Sequence, residues 1–172
     1  MALPKPYRVK ERYTESAKTI PDNTDRIDES TNQHRFITEY LPVNPISLIG
    51  YAKEAAEILS HHNFDTIAFR GMSGALIAPL VSVILGKPFT MVRKPGEGSH
   101  SSCTIEGCTN FKTYVIVDDF MATGKTARAI KEAIDNKLML EVKPTCIGVL
   151  QYLRMKPGNF TLPRIPPDDD WE

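Results

Sequence analysis

The chain has 172 residues, and its 21 Lys and Arg balance 21 Asp and Glu. That length suits one domain with a sizeable core, and the even charge gives no general pull toward nucleic acid or an anionic membrane. No apolar run approaches the ~20 residues of a membrane span, and the opening Met1 to Pro6 lacks the apolar centre of a signal peptide.

Residues 1–42 are polar and aperiodic, with turn-like residues at Pro21 to Asp25 and scattered aromatics at Tyr7, Tyr13, Phe36 and Tyr40. They read as an N-terminal arm or hood segment, either docked by those aromatics or loosely held. The core is expected over residues 43–153. Asn44 and Pro45 form a helix start, with Asn as cap and Pro at the first helical position. Ile46, Ile49, Ala52, Ala56 and Leu59 recur on one helical face, and the helix is expected to end near His61 or His62.

Phe64 to Phe69 reads as a buried strand. Arg70-Gly71-Met72-Ser73-Gly74 follows as a glycine-rich loop led by a cation. The apolar run Ala75 to Leu85 then reads as a helix capped by Gly86. Pro79 cannot lie deep in a regular helix, so that helix is expected to begin a residue or two before it. Strand, glycine-rich loop and helix start together make an anion site, because helix N-termini offer unpaired N–H groups.

Pro88 to Val92 is the next strand, and it ends in two cations, Arg93 and Lys94. Pro95 to Asn110 is rich in Gly, Ser and Thr and reads as one long structureless loop, a candidate lid. Cys103 and Cys108 lie in it without a His or Cys pair to complete a metal site, and read as loop thiols. With Cys146 they make no disulfide framework, which fits a reducing, cytoplasmic setting.

Tyr114 to Val117 reads as a buried strand delivering two adjacent acids, Asp118 and Asp119. Ala122-Thr123-Gly124-Lys125-Thr126 then opens a helix whose apolar face holds Ala127, Ile130, Ala133 or Ile134, and Leu138. Paired carboxylates beside a helix start suit a phosphorylated sugar. The acids accept from hydroxyls or help hold a metal carried by the ligand, and the helix start takes phosphate. Gly124-Lys125-Thr126 also ends the nucleotide-binding P-loop, but that motif needs a glycine where Asp119 stands, so the template fails. Val142 to Tyr152 is the last strand, broken early by Pro144. Residues 154–172 form a tail with prolines and Asp168 to Asp170, read as a charged, extended surface segment.

Alternating strands and helices predict an α/β fold, a doubly wound, mainly parallel sheet, with a small hood or arm from the terminal segments. Arg70 to Gly74, Arg93 with Lys94, and Asp118 to Thr126 would all fall at strand C-terminal ends, where open α/β sheets bind ligands.

The stretch Asp118 to Thr126 resembles the phosphoribosyl-diphosphate signature of the type I phosphoribosyltransferases. Ala68-Phe69-Arg70-Gly71 with Ala78-Pro79, and Val92-Arg93-Lys94-Pro95-Gly96, are similar to segments of the adenine group. Thr104-Ile105-Glu106 stands where that group's mobile loop carries a Glu. Departures are Lys125 in place of a glycine usual in the adenine group, and Ala122 where hypoxanthine–guanine enzymes carry an acid.

The resemblance implies transfer of phosphoribose from 5-phosphoribosyl 1-diphosphate to a nucleobase, purine favoured, with Mg²⁺, in a homodimer. Arg70, Gly71, Met72, Ser73, Gly74, Arg93 and Lys94 would face diphosphate. Asp118 and Asp119 would hold ribose hydroxyls and, indirectly, the metal. Ala122, Thr123, Gly124, Lys125 and Thr126 would hold the 5′-phosphate, with Lys125 either adding charge or pointing to solvent. Glu106, Asp119 and Arg70 are the candidate catalytic residues. The same fold could bind phosphoribosyl diphosphate as a regulator without turnover, and that alternative stays open here.

Overall fold

The computed structural model describes residues 45–94, 103–138, 142–156 and 158–167. The chain divides into two units, residues 1–44 and 45–172, and all described residues belong to the second. The expected N-terminal arm, Pro95 and Gly96, and Asp168 to Asp170 lie outside them.

Helix α1 spans Pro45–Ser60. Ala52, Ala55, Ala56, Ile58 and Leu59 are buried along it. The small alanines allow α1 to lie close to its neighbour. Ile49 departs from the expected face and is 47% exposed, because the buried seam begins a turn later. The chain then enters β1, Thr66–Phe69, every residue of which is buried.

Helix α2 runs Gly71–Leu85 and is closed by Gly86 in the left-handed conformation. Its start differs from expectation. The residues read as a loop, Gly71 to Gly74, form the first turn of the helix, and Pro79 lies inside it. Gly71 supplies a positive φ of 67° that turns the chain out of β1, so the helix can begin at once. Pro79 leaves one carbonyl of the preceding turn without its helical donor, a local cost that does not stop the helix.

Strand β2 is Phe89–Val92 and β3 is Ile105–Gly107. β3 lies within the segment expected to be a structureless loop. It pairs antiparallel with β2, Met91 opposite Glu106. Strand β4 is Thr113–Asp118, helix α3 is Lys125–Lys137, and β5 is Thr145–Gln151.

The sheet order is β3-β2-β1-β4-β5. β1 pairs parallel with both β2 and β4, and β4 pairs parallel with β5. One antiparallel edge strand on a parallel sheet is the mainly parallel arrangement expected. Ala68, Tyr114, Ile116 and Val149 pack with Ala127, Ile130 and Ile134 of α3. Neighbouring strand residues point to the other face, where Phe69 and Val117 meet α2. The face of α3 is the one its apolar spacing predicts.

The tail is not merely a surface segment. Val149 N donates to Pro163 O at 2.8 Å, and a Cβ on Gly148 would stand 2.6 Å from Leu162 Cβ. The Phe160 ring packs tilted against His61, and the Phe160 carbonyl bonds His62 Nε2 at 2.6 Å, which accounts for both histidines at the end of α1. Among the described residues no helix is long and apolar enough to cross a membrane.

Candidate active site

Because β1, β2, β4 and β5 are parallel, their C-terminal ends share one edge. Sequence order reverses about β1. The chain moves from β1 to β2 on one side, then returns to place β4 on the other. The segment after β1 begins at Arg70 and the segment after β4 begins at Asp119, so the two candidate anion sites flank the switch point. That is where open α/β sheets leave a crevice.

The first site is the start of α2. Arg70 precedes the helix in an extended conformation. Its Nε is buried without a hydrogen-bond partner among the described residues, a donor that an anion would satisfy. Lys94 comes from the end of β2 to the same place. A Cβ on Gly71 would stand 3.1 Å from Lys94 Cε and 3.3 Å from its Nζ. Gly71, next to Arg70 in the chain, and Lys94 are thus brought together. Met72 is 64% exposed. Gly74 is buried, and a Cβ there would press on Phe69 Cβ at 2.6 Å and Val117 O at 3.1 Å. Close packing of α2 on the sheet explains that glycine without a ligand.

Arg93 is engaged from the β3 side. Its Nη1 donates to Glu106 Oε1 at 2.6 Å, and its backbone N donates to Thr104 O. β3 therefore delivers Glu106 to a cation expected to face diphosphate. A proton-transfer role for Glu106 requires release from that pair.

The second site is built on β4. Asp118 is 7% exposed, and its Oδ1 accepts from Ser73 Oγ at 3.1 Å and from Asp119 N at 3.0 Å. Burial, followed by the negative charge of Asp119, pushes the Asp118 carboxyl up to about 7. Asp119 Oδ1 accepts from Phe120 N at 2.7 Å. Ala122, Thr123, Lys125 and Thr126 are exposed around a buried Gly124. Gly124 takes a φ of 71° and places Lys125 at the start of α3, and Lys125 N reaches Thr123 Oγ1 at 3.4 Å. Ala122 to Thr126 thus form an open turn at a helix N-terminus, the geometry suited to phosphate.

Two contributors escaped the sequence reading. Gln151 Oε1, at the end of β5, accepts from Met121 N at 2.7 Å. Tyr152 N donates to Asp118 O, Leu153 N donates to Asp119 O, and Tyr152 Oη donates to Ser73 O. A polar residue ending the last parallel strand was the available signal for Gln151. Tyr152, at the end of the last expected strand, carries no motif signal of its own.

The donor set speaks to a metal. Among the described residues no three His, Cys, Asp or Glu converge on one point. Asp118 and Asp119 provide only hard carboxylate oxygens, so they fit Mg²⁺ held mainly by ligand oxygens and water rather than by a protein cage.

No family model matches the chain. It is 32% identical over 126 residues to the adenine phosphoribosyltransferase of Pseudothermotoga lettingae, covering 64% of this chain and 74% of that protein. It is 29% identical over 116 residues to the adenine phosphoribosyltransferase of Petrotoga mobilis, covering 59% and 67%. Among solved structures it is similar to an orotate phosphoribosyltransferase from Francisella tularensis, with a TM-score of 0.47, 19% identity and coverage of 62% of this chain. The chain spans about half of that structure's length, 51%. With two candidate anion sites at one sheet edge and an adenine phosphoribosyltransferase matched over most of its own length, the chain belongs to the type I phosphoribosyltransferase family.

Proposed function

We propose that the protein transfers phosphoribose from 5-phosphoribosyl 1-diphosphate to a nucleobase, a purine first, and releases diphosphate in cytoplasmic nucleotide salvage. The observation that carries this reading is the placement of two candidate anion sites across one switch point, joined by the Ser73–Asp118 hydrogen bond. A ligand with a phosphate at one end and a diphosphate at the other matches that pairing. The adenine phosphoribosyltransferase relatives and the Arg93-Lys94-Pro95-Gly96 spelling favour a purine.

The ring nitrogen of the base displaces diphosphate at C1′. Positive charge develops on the ribose and negative charge on the leaving group. Arg70, Lys94, the N–H groups of the first turn of α2 and Arg93, once released from Glu106, lower the energy of that leaving group. Asp118 and Asp119 orient the ribose through its hydroxyls, and Ala122 to Thr126 fix the 5′-phosphate. Holding both ends fixes C1′ between them, which is catalysis by positioning. Asp118 and Asp119 would hold Mg²⁺ bound with the substrate, which would supply further charge neutralisation for diphosphate. The apolar stripe of α2, with Met72, Leu80, Val83 and Ile84 exposed, supports a homodimer.

The test is diphosphate release from phosphoribosyl diphosphate with Mg²⁺ across adenine, guanine, hypoxanthine, xanthine, orotate, uracil and nicotinate. Release with at least one purine is expected, and Asp118→Asn with Asp119→Asn should abolish it while leaving the fold intact. Thermal stabilisation by phosphoribosyl diphosphate without turnover of any base would overturn the enzyme reading in favour of a regulator.

A further inference from the structure

Tyr152 is 1% exposed and stands just past the end of β5, outside every motif that marks the site. It nevertheless touches both halves of it. Its backbone N donates to Asp118 O at 3.0 Å, on the ribose side. Its Oη donates to Ser73 O at 3.0 Å, in the first turn of α2 on the diphosphate side. Ser73 closes the triangle, with its Oγ donating to Asp118 Oδ1 at 3.1 Å. Three segments far apart in sequence are thus cross-linked at the one place where the two anion sites meet.

We propose that Tyr152 is a positioning residue that sets the distance between the diphosphate site and the ribose-phosphate site, so that one double-ended ligand engages both at once. This rests on the reading of the protein as a phosphoribosyl-diphosphate binder. A buried ring fills the core whether or not it carries a hydroxyl, so packing alone explains a Phe here and leaves the Oη–Ser73 bond without a purpose. Burial, then the charges of Asp119 and Asp118, raise the phenol well above its ordinary value, so it remains a donor at any working pH. The tilted Tyr51 ring, 5.9 Å away, buttresses Tyr152. A ligand tied at two ends gains from the second contact only when the sites are held in register. A ligand filling one site gains nothing from that register.

The experiment compares wild type with Tyr152→Phe by calorimetric binding of phosphoribosyl diphosphate, ribose 5-phosphate and inorganic diphosphate, each with Mg²⁺. The ring and its packing are kept, so the melting temperature reports whether the variant folds. The inference expects phosphoribosyl diphosphate to bind about tenfold more weakly, while each one-ended ligand changes less than about twofold. Unchanged binding of phosphoribosyl diphosphate by a folded Tyr152→Phe, or equal weakening of all three ligands, would overturn it. Failure of the wild type itself to bind phosphoribosyl diphosphate would instead overturn the functional reading, and this inference with it.

Discussion

Pro166 lies against Gly124. A Cβ on Gly124 would stand 2.6 Å from Pro166 Cγ and 2.8 Å from Cδ, and Arg128 Nη1 donates to Pro166 O at 3.3 Å. The tail therefore backs the turn expected to hold the 5′-phosphate. Gly124 has two independent reasons to be glycine, its φ of 71° and this contact.

Gly124→Ala should accordingly destabilise the protein by about 1–3 kcal/mol and weaken phosphoribosyl diphosphate binding. Adding Pro166→Ala removes the clash but not the backbone strain. Thermal denaturation of the double variant should recover part of the loss and not all of it. Full recovery would assign the whole effect to the contact, and no loss in the single variant would show that the turn is loose.

The strand from Thr113, the acids at its end and the face of α3 were legible because each is local. Apolar continuity marks a buried strand, helical spacing marks a face, and two acids at a strand end mark a site. Gly124 read as part of a motif, but its partner Pro166 did not, since an extended proline-rich segment carries no periodicity to reveal what it packs on. β3 was hidden for a similar reason. Three residues on an antiparallel edge are too few to alternate visibly, and their pairing with β2 is a tertiary fact. The start of α2 is hard to read because Pro79 argues for a later start, whereas the positive φ of Gly71 lets the helix begin at the strand end. Gln151 and Tyr152 act through hydrogen bonds to segments remote in sequence, which no local pattern encodes.

The Asp118 carboxyl makes stability fall as pH rises. Burial and the neighbouring Asp119 raise it from an ordinary 3.8 to about 7. Between those values the folded chain keeps a proton that the unfolded chain releases. The stabilisation is fully present below the unfolded value and is lost as pH rises through the folded one. Asp118→Asn retains an acceptor for Ser73 and Asp119 N and removes the titration. In EDTA it should gain stability over wild type at pH 8, of the order of 1–3 kcal/mol, and show no gain at pH 4. Urea denaturation at the two pH values measures this, and equal stability at pH 8 would count against a buried, repelled carboxylate.

Asp65 should behave in the opposite sense. Its Oδ2 accepts from Lys112 N and Thr113 N, both at 2.9 Å, and from Thr113 Oγ1 at 3.2 Å. These bonds, the one from Lys112 N first, hold its carboxyl below 3.8. Stability from this group is present above the unfolded value and lost as pH falls through the lower folded one. Asp65→Ala should melt below wild type at pH 7, and the gap should narrow only in strong acid. A gap that persisted unchanged to pH 2 would tie the loss to packing rather than to the charged acceptor.

Glu106 offers a choice between chemistry and positioning that one substitution can make. In the structure it is committed to Arg93 at 2.6 Å, with their side chains 36% and 18% exposed. A pair so placed is part-screened by solvent, so breaking it should cost the fold little. Glu106→Gln keeps the size and one acceptor but loses the charge. If Glu106 chiefly restrains Arg93, the variant releases that cation toward diphosphate and lowers KM for phosphoribosyl diphosphate, with kcat changed less than about threefold. That is the expected outcome. If Glu106 instead moves a proton in the transition state, kcat falls by about a hundredfold or more at nearly constant KM. Steady-state kinetics on the base that the panel identifies, measured at saturating and limiting phosphoribosyl diphosphate, separates the two.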